Sequence, residues 1–251
     1  EGYVKVEPKG GITVIEFYHP QGNSLPSAIL NDLAQEIHSE GLQNETKVII
    51  LRSAGNGAFC AGASLKELLA INNPEDGKKF FSGFARVINA MRRCPKLIIA
   101  RIQGKSVGGG VGLVAAADYA VAVEGADVKL SELSIGIGPF VVGPAIQRKM
   151  GLSAFSQLAV DAAMWRPAEW ARRKGLFAEL HPNVEDMDES VQRLANELAH
   201  TSAEAIAELK KVLWEGTEHW DELLQHRAAV SGTLVTGSFT KTALEKLKKK
   251  E

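Results

Sequence analysis

Three consecutive glycines, Gly108-Gly109-Gly110, with Val111 and Gly112 directly behind them, constrain this chain more than any other segment. Glycine gives up more backbone freedom on folding than any other residue. A run of glycines is expected where the chain turns tightly, where a helix packs closely, or where bare N–H groups must meet a ligand. The run follows the apolar, β-branched residues 97–102 and precedes Leu113-Val114-Ala115-Ala116-Ala117, so it reads as a turn from a strand into a helix. The first N–H groups of a helix have no intrahelical partner and sit at the positive end of its macrodipole. That geometry suits an anion or a developing oxyanion. Three readings stay open at this point. Gly110-Val111-Gly112-Leu113-Val114-Ala115 fits the G-x-G-x-x-A dinucleotide fingerprint. The acid expected at the end of the next strand is missing, however, because residues 119–123 close on Glu124, too near the motif. An oxyanion hole needs a second N–H donor from elsewhere. Tight packing alone needs no ligand.

The flanking pattern sets the fold class. Residues 12–17, 48–51, 97–102 and 119–123 read as strands. Residues 26–39 carry Leu30, Leu33 and Ile37 at helical spacing, and residues 74–91 place Phe80, Phe81, Phe84, Val87 and Ile88 on or near one helix face. Strands separated by helices predict parallel pairing through right-handed crossovers. Beyond about residue 145 helical patterns dominate, at 154–163, 167–174, 187–198, 203–214 and 223–233. Thr201 and Glu204 have capping-box spacing. Gly175, behind Arg172, Arg173 and Lys174, reads as a helix stop. The lysine-rich residues 246–250 read as a solvated helix end, or alternatively as a contact for an anionic ligand.

Several function classes are disfavoured. Twenty-nine basic residues against thirty acidic ones leave a net charge of -1. No field of one sign dominates, which argues against a nucleic-acid partner. No apolar run approaches the ~20 residues of a membrane helix, and no charged-then-apolar leader opens the chain. Cys60 and Cys94 make neither a disulfide framework nor a metal pattern, and the six histidines are scattered. The expectation is a cytoplasmic protein without a metal.

A candidate second donor lies in Ala58-Phe59-Cys60-Ala61-Gly62-Ala63-Ser64-Leu65-Lys66-Glu67, which follows the strand at 48–51 and opens a helical stretch. Together with the glycine cluster it resembles the crotonase superfamily, the enoyl-CoA hydratase/isomerase family. That family carries an A-F-x-A-G-A-D-[LI] segment and, further along, a G-G-G segment after a strand ending near N-G. Here that strand ends at Gln103-Gly104. The resemblance runs over nearly the whole chain. It includes Asn23-Ser24-Leu25, residues 136–139, and Ala168, Ala171, Gly175 and Leu176.

The resemblance implies an α/β fold, a crotonase-like ββα spiral with a C-terminal helical region. Residues 1–195 would form the spiral core with the coenzyme A and acyl site, and residues 196–251 a helical oligomerisation region, in a homotrimer or a hexamer made of two trimers. Coenzyme A would arrive as part of an acyl-CoA substrate, with no cofactor bound permanently. By resemblance, the N–H groups of Ala63 and Gly109 would hold the thioester oxygen. The Cys60, Ala61, Ala63 and Lys66 loop would hold the adenine half of coenzyme A, with Lys66 near the phosphates. Phe80, Phe84, Pro139 and Phe140 would line the acyl pocket. Ser64 departs from the family's usual aspartate, which puts local loop contacts in question.

Hydratases of this family usually carry two glutamates. The first position falls on Gly112, so that carboxylate is absent. The second falls on Glu132, the best catalytic candidate. A single base suffices to move a double bond, as in Δ3,Δ2-enoyl-CoA isomerases. The finer pattern, residues 109–113 with Ser131-Glu132, Pro139 and Pro144, is similar to bacterial methylglutaconyl-CoA hydratases, which also carry glycine at the first position. Hydration therefore ranks first and isomerisation second. Decarboxylation, or a non-catalytic coenzyme A-binding role, stands behind both.

Overall fold

Val48, Ile49, Ile50 and Leu51 are apolar without alternation, as suits a strand covered on both faces. A computed structural model describes residues 1–250 and places this run near the centre of a six-stranded sheet. Along the chain the strands are β1 (Tyr3–Lys9), β2 (Ile12–Tyr18), β3 (Val48–Ser53), β4 (Leu97–Ile102), β5 (Ser106–Val107), β6 (Tyr119–Val123), β7 (Val128–Lys129) and β8 (Glu179–His181). The helices are α1 (Ser27–Leu42), α2 (Leu65–Ala70), α3 (Pro74–Arg93), α4 (Gly109–Ala116), α5 (Gly143–Val160), α6 (Ala168–Arg173), α7 (Val184–Ala199), α8 (Ala203–Leu213), α9 (Trp220–Leu234) and α10 (Ser238–Lys248). A short 3-10 helix, Ser131–Ile135, carries Glu132.

The large sheet runs β1-β2-β3-β4-β6-β8. Only β1 is antiparallel to its neighbour; the other pairings are parallel, as the alternation of strands and helices predicts. A second, smaller sheet pairs β5 with β7 and continues through isolated bridges, Leu25 with Ala63, Cys60 with Ser106, and Val128 with Arg166. The chain thus repeats one move. A long strand enters the large sheet, a short extended piece enters the small one, and a helix returns. This is the ββα spiral, and α7 to α10 form its helical C-terminal region. The small sheet matters most for function, because both candidate donor loops lie on it.

The C-terminal region is tied into the core. Asp118, just before β6, accepts hydrogen bonds from Ile98 N–H (2.8 Å), Lys210 Nζ (2.6 Å) and Trp214 Nε1 (2.9 Å). Lys210 and Asp118 are almost fully buried, so their pairing anchors α8 directly to β4 and β6. The expected division at residue 195 falls inside α7, which packs across β2, β3, β4 and β6.

Some local expectations shift. The edge strand β1 lies outside the expected set, although Val4 and Val6 alternate with Lys5 and Glu7 as a half-covered strand requires. The helix expected at 154–163 is α5, which begins at Gly143 and kinks where Gly151 adopts φ 82° and ψ 162°. The cap of α8 is Ser202, one residue beyond Thr201. Its Oγ accepts from Ala205 N–H at 3.2 Å, while Thr201 Oγ1 instead donates to Glu197 O. Gly175 does stop α6, at φ 87°, where Leu176 N–H reaches back to Ala171 O at 3.0 Å.

Helices α3 and α9 cross at two facing glycines. A Cβ on Gly77 would lie 2.6 Å from Gly232 Cα, and a Cβ on Gly232 would meet the backbone nitrogen of Lys78. Neither obstacle is a flexible side chain, so the backbones must separate. Alanine gains ~1 kcal/mol of helix propensity over glycine, against an overpacking cost of ~1–3 kcal/mol. We expect Gly77→Ala to lower the urea midpoint with the slope unchanged. Gly57→Ala, which meets nothing within 4 Å, should leave the midpoint in place. Equal midpoints for the two variants would remove the close crossing as a constraint.

Candidate active site

The two small-residue loops are stitched edge to edge by backbone hydrogen bonds. Phe59 N–H donates to Lys105 O (2.9 Å), and Val107 N–H donates to Cys60 O (3.0 Å). Leu25 N–H donates to Gly62 O (2.8 Å) and Ala61 N–H to Gly22 O (3.0 Å), so a third loop closes the arrangement. Asn23 holds that third loop. Its side chain donates to Ala54 O and Ala58 O, both at 3.0 Å, from a left-handed backbone at φ 57°. Gly62 turns at φ 94°, and its missing Cβ would lie 3.0 Å from Val107 O and 3.8 Å from Gly109 N. Ala63, directly behind Gly62, and Gly109 are thereby brought to the same seam and the same cavity lining. Neither backbone nitrogen donates a hydrogen bond to any acceptor among the described residues.

Gly108 adopts φ 53° and ψ -116°, a conformation that favours glycine. It starts α4 so that Gly109 is the first helical residue, with its N–H among the unsatisfied ones. A Cβ on Gly109 would strike the Phe84 ring, and one on Gly110 would lie 2.6 Å from Cys60 O. Gly110 and Gly112 therefore serve close packing inside α4. The dinucleotide reading fails here, because its second glycine lies within a fully buried helix rather than at the turn.

Glu132 faces this seam. A Cβ on Gly108 would lie 3.0 Å from Glu132 Oε1. The residue as a whole is half-buried, but its Oε2 is enclosed and has no hydrogen-bond partner among the described residues. Burial without a counter-charge pushes the carboxyl up from its ordinary 4.5 to about 7, against a smaller lowering by its own backbone N–H. At Gly112, where a second carboxylate would stand, a Cβ would lie 2.5 Å from Val142 Cγ1. Val142 supplies an apolar wall there instead.

Ala63, Gly109 and Glu132 share one cavity of about 440 Å³, within the range of small-molecule sites. Ala61, Phe84, Pro139 and Phe140 line it too, as expected. Three expected residues do not. Phe80 packs behind, edge-to-face on Phe81 (5.3 Å) and Phe84 (6.0 Å), and its neighbour Phe81 takes the lining position. Lys66 is exposed on α2 outside the cavity, and the cations on the lining are Lys129 and Lys250. Cys60 is fully buried and contributes its backbone; burial pushes its thiol up to about 12, so the sulfur is inert at neutral pH. Ser64 stands where the family usually has aspartate. It caps α2 by accepting from Glu67 N–H, a task either residue performs.

Sequence reasoning missed the far wall, Ser231 from α9 with Leu244 and Leu247 from α10. These residues lie a hundred positions beyond the motifs, and helical spacing alone does not say which cavity they reach. Among the described residues no group of three His, Cys, Asp or Glu could hold a metal ion. No helix among them is long and apolar enough to cross a membrane.

Comparison with known proteins gives concordant results. A family model described as enoyl-CoA hydratase/isomerase matches residues 7–246. The chain is 29% identical over 211 residues to the (7aS)-7a-methyl-1,5-dioxo-2,3,5,6,7,7a-hexahydro-1H-indene-carboxyl-CoA hydrolase of Mycobacterium tuberculosis, covering 82% of this chain and 81% of that one. It is 30% identical over 217 residues to the mitochondrial methylglutaconyl-CoA hydratase of Homo sapiens, covering 84% of this chain and 63% of that one. The crystal structure of enoyl-CoA hydratase from Bacillus halodurans superimposes with a TM-score of 0.88 at 23% identity, covering 97% of this chain and 99% of that one. That last likeness establishes the fold.

The buried carboxyl has a cost in stability with a definite sign. Its folded value is raised, so relative to alkaline pH it favours folding below about 4.5, and that contribution is lost as pH rises through about 7. Glu132→Gln should therefore stabilise the protein at pH 9 by on the order of 3 kcal/mol and by little at pH 4. Urea unfolding of both proteins across this range checks it. A stability difference independent of pH would remove the raised carboxyl.

Proposed function

This chain belongs to the enoyl-CoA hydratase/isomerase family, and from that premise we propose that it adds water to an enoyl-CoA thioester with Glu132 as its single acid–base group. The observation that carries the reading is the enclosed, unpartnered carboxyl oxygen of Glu132 in one cavity with two free backbone N–H groups. In this reading the thioester oxygen accepts from the N–H groups of Ala63 and Gly109. Ionised Glu132 takes a proton from water as the water oxygen bonds to C3. The electron pair of the double bond moves onto the thioester oxygen, giving an enolate. Glu132 then returns the proton to C2, and atoms and charge balance. Two fixed donors favour the enolate over the neutral ground state, and each is worth ~3–4 kcal/mol of the barrier. A carboxyl poised near 7 has both forms available at neutral pH, which suits a group that must act as base and then as acid.

Coenzyme A would run out past Ala61 and Ala63, with Lys66 on the adjoining turn of α2 still the candidate for its phosphates. The same reading assigns the exposed apolar residues of the C-terminal region, Phe239 at 68% and Val212 at 64% exposure, to contacts between copies in a trimer or a pair of trimers.

Isomerisation of the double bond is the second reading. The apolar packing of Val142 on Gly112 favours it, because the second carboxylate that hydratases usually share the work with has no space here.

Mass spectrometry of crotonyl, 3-hexenoyl and 3-methylglutaconyl thioesters incubated with the protein in deuterated water separates the two. We expect a product heavier by one molecule of deuterated water. Deuterium uptake without added water would replace hydration by isomerisation. Glu132→Gln should abolish turnover and leave coenzyme A binding intact; full activity in that variant would overturn the assignment. In the unmodified enzyme kcat/KM should fall with unit slope below about pH 7, because only the ionised carboxylate starts the reaction.

A further inference from the structure

The far wall of the cavity holds a polar group that the proposed chemistry does not use. Ser231 lines the cavity from α9 and is 1% exposed to bulk solvent. Its hydroxyl makes no hydrogen bond with any described residue. Serine and threonine inside helices commonly satisfy themselves on the carbonyl one turn back. Ser82 does so on Lys78 O (2.6 Å) and Thr233 on Ala229 O (3.1 Å), but Ser231 does not. The lining that it shares carries the apolar side chains Phe81, Phe84, Val141 and Leu244, alongside the polar Lys129, Ser131 and Glu132. A hydroxyl desolvated by a hydrocarbon chain against such a wall loses water and gains nothing. An oxygen atom on the chain would restore the hydrogen bond.

A second group says which oxygen. Arg227 lies one helical turn before Ser231, on the same side of α9. It is half-buried, stands just behind the lining, and donates at 3.4 Å to the carbonyl oxygen of Phe140, which lines the cavity. Among the described residues it has no acidic partner within ion-pair distance. A guanidinium left with one long contact has donors to spare for a carboxylate.

Resting on the reading of the cavity as an acyl-CoA site, we propose that Ser231 is a specificity residue that hydrogen-bonds a carboxylate at the distal end of the acyl group, with Arg227 supplying the counter-charge. The substrate class is then the monothioester of an unsaturated dicarboxylic acid. Ser231 touches no reacting atom and acts on which acyl group is held.

Binding of saturated thioesters tests this without turnover. Two pairs matched in length serve as probes, valeryl-CoA with glutaryl-CoA and hexanoyl-CoA with adipyl-CoA, titrated calorimetrically into the native protein, Ser231→Ala and Arg227→Gln. In at least one pair the native protein should prefer the diacid. Ser231→Ala should weaken that diacid about tenfold and leave its apolar match within about twofold. Arg227→Gln should do the same. If Arg227→Gln leaves the diacid untouched while Ser231→Ala weakens it, the carboxylate assignment is overturned. The 5-hydroxyvaleryl thioester would then show the same loss in Ser231→Ala. Equal losses in both members of a pair, no loss in either, or no preference in the native protein overturns the proposal. Failure of the hydration reading registers elsewhere, as discrimination between these ligands with no water added to any enoyl thioester.

Discussion

The backbone seam between residues 59–62 and 105–109 is the contact on which the rest of the site depends. Its hydrogen bonds, Phe59 N–H to Lys105 O and Val107 N–H to Cys60 O, are ordinary in length. Their consequence is positional. They fix two chain segments so closely that side chains between them must be absent or very small. That is why Gly62 faces Val107 O and Gly110 faces Cys60 O. The nitrogens of Ala63 and Gly109 are left without an acceptor among the described residues. A side chain carrying those donors would pay rotamer entropy on binding, whereas backbone held by two sheets is already in place.

The seam also explains the state of Glu132. A carboxyl pressed against Gly108, with one oxygen enclosed, has lost water on that oxygen and found no substitute among the described residues. A protein selected only for stability would pair it or replace it. The raised pKa is the physical expression of that unmet need, and it is set by burial rather than by any charged neighbour. Val142 completes the environment. By filling the space beside Gly112 it removes the place for a second carboxylate, and so removes the like charge that would otherwise compete for the proton.

The sequence exposed the parts of this arrangement that are local. Three glycines between a strand and a helix can be read directly, because the constraint lies in the backbone of those residues. The continuous apolar runs at β3 and β4 likewise announce parallel strands. Helical spacing placed Phe80, Phe81 and Phe84 on one side of α3, but could not say that Phe80 turns to the core while Phe81 reaches the cavity. The difference depends on α9 closing over them. The dinucleotide fingerprint misled for a related reason. A spacing of glycines does not state where the helix begins, and here it begins one residue before Gly110. Lys66 was placed by likeness to a motif, whereas Lys129 reaches the cavity through β7, a two-residue strand too short to recognise. Ser231 and Leu244 carry no local signal at all.

These differences divide the cavity into two parts with separate origins. In the proposed reading the reacting end is built by the spiral, from backbone atoms of residues 60–63 and 108–109 and one carboxyl on a 3-10 turn. The acyl end in that reading is built by residues 139–142 with α3, α9 and α10, brought together from distant parts of the chain. The glycine pair Gly77 and Gly232 sets how near α9 comes to α3, and therefore how far Ser231 stands from Phe81. A side chain on α9 can change without disturbing the seam, since none of the seam's hydrogen bonds involves α9, α10 or α3. A change in the seam, by contrast, moves both donors at once. Under the proposed function, the geometry makes the choice of acyl group the adjustable property of this protein and the handling of the thioester oxygen the fixed one. This is also why the family was legible from two loops while the acyl group was not.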